Sequence, residues 1–179
     1  MTCKVAGLNL STRKGVPKSP VDSVRLITDH GIEGDAHAGS DRQVSLLAAE
    51  AIQRMRDQAK GLDIPYGAFA ENIVLDGVDL RLWSVGTRLT IGPLVLEITQ
   101  IGKVCHTKCA IYYQAGDCVM PREGLFAVVR TGGPVRVDDS IEVVSLGDGT
   151  CDRTPEEAVR EFAEERAKEA ALLAGAEVR

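Results

Sequence analysis

The chain has 179 residues, of which 44% are hydrophobic and 4% are aromatic. A chain of this length most often forms one domain, and we expect its core to consist mainly of aliphatic side chains. The net charge of −5 argues against a general nucleic-acid-binding protein. No apolar run has the length of a membrane span and the first residues do not form a signal peptide, so we expect a cytoplasmic protein with reduced thiols.

The first part of the chain predicts two strands and one long loop. The segments "CKVAGLNL" (3–10) and "VDSVRLI" (21–27) have the composition of strands, and the proline-containing segment between them is predicted to be a loop. The next segment, "TDHGIEGDAHAGSDRQ" (28–43), is rich in glycine and too long for a simple turn. Loops of this length often carry function.

One helix is predicted next, over "VSLLAAEAIQRMRDQAKG" (44–61). Its apolar residues recur at helical spacing and include Met55, which is expected in the core. Ser45 is a suitable N-cap residue, and Gly61 can end the helix.

Short strands dominate the chain after this helix. Five apolar runs are separated by glycine and proline: "NIVL", "RLTIG", "LVLEITQI", "LFAVVRT" and "SIEVVSL". Several short strands with turn residues between them predict a barrel or a sandwich rather than alternating strands and helices. We therefore predict one mainly β domain over residues 1–149.

Residues 150–179 differ in character and are predicted to form an acidic C-terminal helical tail. Thr154 and Glu157 form a capping box, with Pro155 at the first helical position. From residue 151 onward the tail has a net charge of −3 and a modest apolar stripe. A solvated helix and a helix that docks on the barrel or on a partner are both consistent with this pattern.

Three of the five cysteines, Cys105, Cys109 and Cys118, lie within residues 102–120. Cys118 is expected to pack as a small hydrophobic residue. The other two have cationic neighbours, which favour the nucleophilic, metal-binding thiolate; these neighbours are Lys103, His106 and Lys108. The spacing of the cysteines does not match a zinc finger, and a disulfide between Cys105 and Cys109 would be regulatory in a reducing compartment.

Further residues are candidates for binding a ligand. Residues 101–136 contain five basic and two acidic residues, a net charge of +3, which is either solvated surface charge or a field that suits an anionic ligand. His37 and Arg42 in the glycine-rich loop supply polar groups beside a backbone that a ligand can approach closely. Asn72 in "GAFAENI" (67–73) has an amide edge that can bind a heterocycle or a phosphate, and turn formation is the alternative for Asn72.

Five of these segments, taken in order, resemble the MOSC domain, a family named for the C-terminal domain of molybdenum cofactor sulfurases. The segments are "GIEGDAHAG", "RQVSLL", "GAFAENI", "VGTRLTIGPLVLEITQIGKVCHTKC" and "VRVDDSIEV". The resemblance extends from about Lys4 to Val144 and does not cover the acidic tail. It implies a MOSC-type β-barrel with a few short helices, and a link to the molybdenum cofactor (molybdopterin) or its tungsten equivalent.

The resemblance also implies which residues form the site. In the amidoxime-reducing members, the second cysteine of a C-x-x-C stretch ligates molybdenum, and the matching residue here is Cys109 in "KCAIY". Cys105 corresponds approximately to the first cysteine, and because the spacing is one residue longer, an alignment on Cys105 stays open. We predict Cys109 and Cys105 as catalytic, Cys109 as metal ligand, and a cofactor-binding set of His37, Arg42, Asn72, Lys103, Lys108 and Arg130.

Three functions are consistent with these features. The first, from the resemblance, is a protein that binds the cofactor and handles or delivers the cofactor or its sulfur through a reactive cysteine. If that cysteine holds the sulfur as a persulfide, the protein is a sulfur carrier. The second is a cofactor-dependent reductase of N-hydroxylated compounds. The third is a non-catalytic thiol-switch interaction module. Expected partners of the first are cofactor biosynthesis or acceptor enzymes and a sulfur donor protein, with neither nucleic acid nor membrane as a partner.

Overall fold

The computed structural model describes residues 3–103 and 109–149. Cys105, Lys108 and the predicted helical tail over 150–179 lie outside the described residues, so the assignments made for them stay predictions.

Eleven strands and three helices occupy the described part of the chain. The strands are β1 Cys3–Leu10, β2 Ser19–Val21, β3 Ser23–Ile27, β4 Gly31–Ile32, β5 Val44–Ala48, β6 Ile73–Asp76, β7 Arg88–Ile91, β8 Leu94–Ile101, β9 Leu125–Thr131, β10 Gly133–Arg136 and β11 Ser140–Ser145. The helices are α1 Ala49–Gln58, α2 Ala110–Ala115 and α3 Met120–Glu123, and a 3₁₀ turn covers Leu80–Leu82. Within residues 3–103 and 109–149, no helix has the length and apolarity needed to span a membrane.

Seven of the strands close into a barrel, which confirms the predicted mainly β-barrel fold with a few short helices. Around the barrel the order is β1, β11, β7, β8, β9, β5 and β6, and β6 pairs again with β1. β2 adds to β1, while β3, β4 and β10 form a separate three-stranded sheet. Every barrel pair is antiparallel except β5 with β6, which is parallel. A parallel pair requires a crossover connection, and α1 with residues 59–72 provides it.

Alternating burial along the strands places the aliphatic core inside the barrel. In β8, Leu94, Leu96 and Ile98 are buried and the residues between them are partly exposed, as the two-residue period of a strand requires. β5 is buried along its whole length: its apolar side chains belong to the barrel core, and α1 contacts the strand.

The predicted helix over 44–61 is wrong in its first turn, where residues 44–48 form β5 and the helix begins at Ala49. Ser45 is therefore no N-cap: its hydroxyl lies inside the sheet and donates to the Asn72 side chain at 2.9 Å. The physical reason is that in the short, mostly apolar run "VSLLAA" the single polar residue Ser45 is too little to reveal a period of two or of 3.6 residues. The rest of the prediction holds, since Met55 is buried on α1.

Candidate functional site

A buried ion pair lies where the connection between β1 and β2 meets the glycine-rich loop. Lys18, just before β2, places its Nζ 2.5 Å from Oδ2 of Asp35, which follows β4. The two side chains are 1% and 0% exposed. Removing two charges from water is costly unless they pair with good geometry and further hydrogen bonds, so this pair needs the additional donors that surround Asp35.

Asp35 receives these donors from three parts of the chain. Its Oδ1 accepts from the His37 backbone N–H at 2.9 Å, and its Oδ2 accepts from the Ser11 N–H at 3.3 Å and from Asn72 Nδ2 at 3.0 Å. Burial acts to raise the pKa of Asp35, but the hydrogen bonds from Lys18 and these groups outweigh it and lower the pKa below its ordinary value. The Asp35 carboxylate is therefore ionised at neutral pH and joins the loop to the barrel.

Asn72 connects the ion pair to the barrel wall at the start of β6. Besides its bond to Asp35, its Nδ2 donates to the Asn9 carbonyl oxygen at 3.2 Å. Its Oδ1 accepts from the backbone N–H of Ser45 at 3.1 Å and from the Ser45 hydroxyl at 2.9 Å. The side chain is buried and both ends of its amide have protein partners. The amide edge that was predicted to bind a ligand is thus hydrogen-bonded within the protein. A cofactor-binding role for Asn72 stays a prediction.

Glu71 holds the turn before Asn72 in shape. Its carboxylate is fully buried and accepts from the Gly67 N–H at 2.5 Å and from the Phe69 N–H at 3.0 Å. Burial raises the pKa of Glu71 to about 7, while the backbone N–H groups oppose that rise. Gly67, with φ of +88°, in turn accepts a hydrogen bond from the Lys18 N–H at 2.9 Å. A Cβ at residue 67 would clash with the Lys18 carbonyl oxygen, so this close approach requires glycine.

Asn9 is the one buried side chain in the described residues whose polar atoms have no partner. Both its Oδ1 and its Nδ2 are buried and unpaired. Asn9 also lines an open groove of about 320 Å³ on β1 that includes Gly7 and Tyr66. Most buried polar groups in proteins are hydrogen-bonded, so this amide is available to a water or to a ligand group that reaches it.

His37 is the most exposed member of the cluster, with a side chain that is 21% exposed. Its Nδ1 lies 3.4 Å from Lys18 Nζ and 3.4 Å from Asp35 Oδ1. Burial lowers the pKa of His37, and the positive charges of Lys18 and Lys103 lower it further while Asp35 opposes the shift. The imidazole is therefore neutral at pH 7 and can accept or release a proton beside a permanent cation.

Arg42 and Lys103 approach the same region from the glycine-rich loop and from the end of β8. The Arg42 guanidinium donates from Nε to Gln100 Oε1 at 2.9 Å and lies 5.5 Å from the centre of the Phe126 ring. Gln100 in turn donates to the Gly102 carbonyl at 2.7 Å. Arg42 thus fixes the strand end that leads into Lys103, and the charge of Lys103 acts on His37.

The cysteines occupy different environments. Cys109 is exposed and precedes the six-residue helix α2, whose Tyr113 N–H donates to the Cys109 carbonyl at 3.2 Å. Cys118 is buried, which confirms that it packs as a core residue. Cys3 is half-buried, and burial with the nearby Asp76 and Glu50 raises its pKa to about 11. Of these three cysteines, the exposed residue is Cys109, which is also the predicted ligand.

Arg130 lies apart from these residues. Its guanidinium contacts Glu97 on β8 at 2.9 Å and Asp29 at 3.8 Å. Glu97 also pairs with Arg88 at 2.8 Å, which makes this a surface ion-pair network. The structure thus brings His37, Arg42, Asn72 and Lys103 to one region, and it does not bring Arg130 there.

Sequence reasoning missed Lys18, Asn9 and the role of Asp35 as the centre of the cluster. Lys18 lies in a polar loop, and its partner Asp35 is 17 residues away, so no local spacing links them. The available signal was weak: "GDAH" placed an aspartate two residues before the predicted His37 in a loop that already appeared functional. Within residues 3–103 and 109–149, no group of three histidine, cysteine or carboxylate side chains is arranged to hold a metal ion.

Comparison with known proteins agrees with this architecture. The model of the MOSC domain family matches residues 33–142. Among solved structures, the YUAD protein from Bacillus subtilis is similar with a TM-score of 0.67 and 20% identity, over 80% of this chain and 96% of that chain. YiiM from Geobacillus stearothermophilus is similar with a TM-score of 0.63 and 17% identity, over 91% of this chain and 84% of that chain.

YiiM from Escherichia coli is also similar, with a TM-score of 0.59 and 22% identity, over 87% of this chain and 75% of that chain. A search of the curated proteins finds no match. The solved structures therefore support the fold, and the family model supports the family.

Proposed function

The chain belongs to the MOSC domain family, and from this premise we propose that it binds a molybdenum or tungsten cofactor and handles or delivers that cofactor, or its sulfur, through Cys109. The observation that supports this most is the position of the exposed Cys109 shortly after the cationic end of β8. Five residues separate Lys103 from Cys109, so the Cα atoms of these two residues lie at most about 20 Å apart. The charge of Lys103 acts on His37, and we propose that Cys109 lies close enough to these two residues to share one ligand with them.

The residues present fit such a cofactor. Molybdopterin combines a phosphate with a polar heterocycle, and cationic side chains and backbone N–H groups are the usual partners of a phosphate. Lys103 and Arg42 supply positive charge that suits the phosphate of such a ligand. A thiolate is a soft ligand, which suits molybdenum and tungsten.

The chain's own residues would bind and orient the cofactor. Lys103 and Arg42 would hold the anionic end, and the neutral imidazole of His37 would face the ligand from the rim of the cluster. Asp35 and Asn72 would act from behind by fixing Lys18 and the loop that carries His37. When bound, the cofactor supplies either a redox-active metal or a sulfur that can be transferred. Cys105 and Lys108, which lie outside the described residues, stay candidates for the same site.

Metal and pterin analysis of the protein purified without oxygen from a cofactor-producing host tests this proposal. Cys109→Ser should lose bound molybdenum or tungsten, and the matched control Cys3→Ser, at the half-buried thiol of β1, should keep it. Metal retained in Cys109→Ser would move the ligand to Cys105. A persulfide on Cys109 with no metal would support the sulfur-carrier form of the function. The absence of metal, pterin and persulfide from the wild type would refute the proposal.

A second candidate, a reductase of N-hydroxylated compounds, is favoured by the position of His37 beside Lys18. Reduction of a hydroxylamine to an amine consumes two electrons and two protons and releases water, so a reductase needs a proton source at the site, whereas a carrier does not. His37 Nδ1, at 3.4 Å from both Lys18 Nζ and Asp35 Oδ1, can move a proton among these groups. The electrons would come from a partner protein or a chemical reductant.

His37→Gln separates the two candidates. In a reductase this substitution should lower the rate of amidoxime reduction and change its pH profile while the metal content stays unchanged. In a carrier the wild type should show no reduction of amidoximes even when it is fully loaded with metal and supplied with reductant.

A further inference from the structure

A groove of about 320 Å³ opens on the face of β1 that points away from the barrel core. Leu8 is buried in the core, so the alternation of a strand places Gly7 and Asn9 on the opposite face. Both of these residues line the groove, whose volume suits a small molecule. None of the predicted cofactor-binding residues that the structure describes lines it. The groove is therefore a different surface from the candidate cofactor site.

The Asn9 side chain is the feature of this groove that points to a ligand. The backbone of Asn9 is fully used, because its N–H donates to the Asn72 carbonyl oxygen at 2.7 Å and its own carbonyl accepts from Asn72 Nδ2 at 3.2 Å. Its amide Oδ1 and Nδ2 are buried without a partner among the described residues. A buried amide in this state destabilises a protein, whereas a leucine of about the same size would not. A partner for the amide can come from the groove that Asn9 lines.

Tyr66 and Gly67 lie over the Asn9 amide. The Tyr66 ring rests on Gly7, where a Cβ would come within 2.6 Å of the ring. Gly67 is so close to Asn9 that a Cβ on it would lie 3.1 Å from Asn9 Oδ1. Tyr66 is only partly buried, so its ring has open space beside it. A ligand that pairs with the amide must therefore move this ring aside.

Arg56 supplies a fixed positive charge at the same groove. Its Nε donates to the Ile64 carbonyl oxygen at 2.8 Å, and its guanidinium carbon lies 5.2 Å from the centre of the Tyr66 ring. In the described part of the chain no carboxylate forms an ion pair with Arg56. Its remaining N–H groups can therefore hold a phosphate, for which the planar guanidinium is well suited. Asp22 also lines the groove, and a carboxylate can accept hydrogen bonds from the hydroxyl groups of a sugar.

We propose that this groove binds an adenine mononucleotide, with the base on Asn9 and the phosphate on Arg56. An asparagine amide presents an acceptor beside a donor and pairs with an adenine edge through two hydrogen bonds. The ligand thus satisfies both unpaired amide atoms and pairs the cation. Binding here does not depend on the molybdenum or tungsten cofactor or on Cys109, so either proposal can fail without the other.

NMR titration of the full chain with adenosine monophosphate (AMP), adenosine and ribose phosphate tests the proposal. AMP at millimolar concentration should shift the backbone signals of residues 6–9 and 66–67. Asn9→Leu should weaken AMP binding about tenfold or more and leave ribose phosphate unaffected, because ribose phosphate has no base. Arg56→Gln should weaken AMP and ribose phosphate to a similar degree and leave adenosine unaffected, because adenosine has no phosphate.

Two controls accompany the titration. Arg54→Gln, at an exposed arginine of the same helix that pairs with Glu123, should bind AMP as the wild type does. Asn9→Leu should be at least as stable as the wild type in circular dichroism, because it removes two unpaired buried groups.

Three results would overturn the proposal. The first is the absence of AMP-dependent shifts at the groove of the wild type. The second is equal AMP affinity in the wild type and Asn9→Leu, since the partner of the amide would then be an internal water. The third is an equal loss of affinity in Arg54→Gln and Arg56→Gln, which would show only a nonspecific attraction of the phosphate.

Discussion

Replacing Glu71 by glutamine should change how the stability of the protein depends on pH. Burial raises the pKa of Glu71 from an ordinary value of 4.5 to about 7 in the folded state. Between these two values the folded protein retains a proton that the unfolded chain has lost, so unfolding becomes easier as the pH rises. A difference of one in pKa between the folded and unfolded states corresponds to about 1.4 kcal/mol. The free energy of unfolding should therefore fall by about 3 kcal/mol between pH 4.5 and 7 and stay level above pH 7.

Glu71→Gln removes this pH dependence of stability, because glutamine does not ionise, and it leaves a side chain of similar size in place. The glutamine oxygen can still accept from one of the two backbone N–H groups of Gly67 and Phe69, while the other faces the new amide NH₂ and loses its partner. An unsatisfied buried donor costs about 1–3 kcal/mol. The ionisation cost of the wild type above pH 7 is of the same size, so the two proteins should have similar stability at pH 8, and the wild type should be the more stable at pH 5.

Urea unfolding followed by circular dichroism between pH 5 and 8 measures this difference. Other titrating groups, such as Asp35, affect both proteins and cancel when the two curves are subtracted. Glu33→Gln, at an exposed carboxyl in the glycine-rich loop, is the matched control and should give a flat difference curve. A flat difference curve for Glu71→Gln as well would refute the reasoning, because it would show that Glu71 titrates normally in the folded state.

Two further pairs of variants test the cluster around Lys18. Gly67→Ala should destabilise the fold by several kcal/mol, because its Cβ would clash with the Lys18 carbonyl. Gly34 has a similar φ of +78° but open space around it, so Gly34→Ala should lose only about 1–2 kcal/mol of stability through backbone strain. Equal losses of stability in urea unfolding would contradict the clash. Asp35→Asn leaves the buried Lys18 ammonium without its carboxylate partner and should destabilise the protein by about 3–5 kcal/mol in the same assay. Asp138→Asn, in an exposed ion pair, is the control and should have no measurable effect. Comparable losses of stability in the two variants would show that the buried pair is replaceable.

Most strands of the barrel could be predicted from the sequence because each of them carries its own local signal. "CKVAGLNL" and "LVLEITQI" match β1 and β8 residue for residue, since apolar β-type residues between glycine and proline specify a strand locally. "VSLLAA" failed for the opposite reason: β5 is buried on both faces, so its sequence shows no alternation. The closure of the barrel and its parallel β5–β6 pair depend on contacts between distant segments, which no local pattern encodes.

The candidate site was predictable only in part, because its residues come from five separate segments. The sequence itself reveals a glycine-rich loop and an amide side chain as candidates for ligand binding. These signals identified His37, Arg42 and Asn72. Lys18 is a lysine in a polar loop by sequence, and only the fold buries it against Asp35. Residues whose role is to support others carry no chemical signature of their own.

The hydrogen bonds also separate the predicted cofactor-binding residues into those that support the fold and those that can contact a ligand. Both ends of the Asn72 amide have protein partners. Replacing Asn72 would therefore first remove the hydrogen bonds that position Asp35 and Ser45. His37, by contrast, is partly exposed and remains neutral at pH 7 because burial and the charges of Lys18 and Lys103 oppose its protonation. An imidazole kept neutral by permanent cations can meet an anionic ligand without forming an ion pair of its own, which leaves its proton chemistry available. A substitution at Asn72 should therefore reduce stability, whereas one at His37 should affect the ligand or the reaction and leave the fold intact.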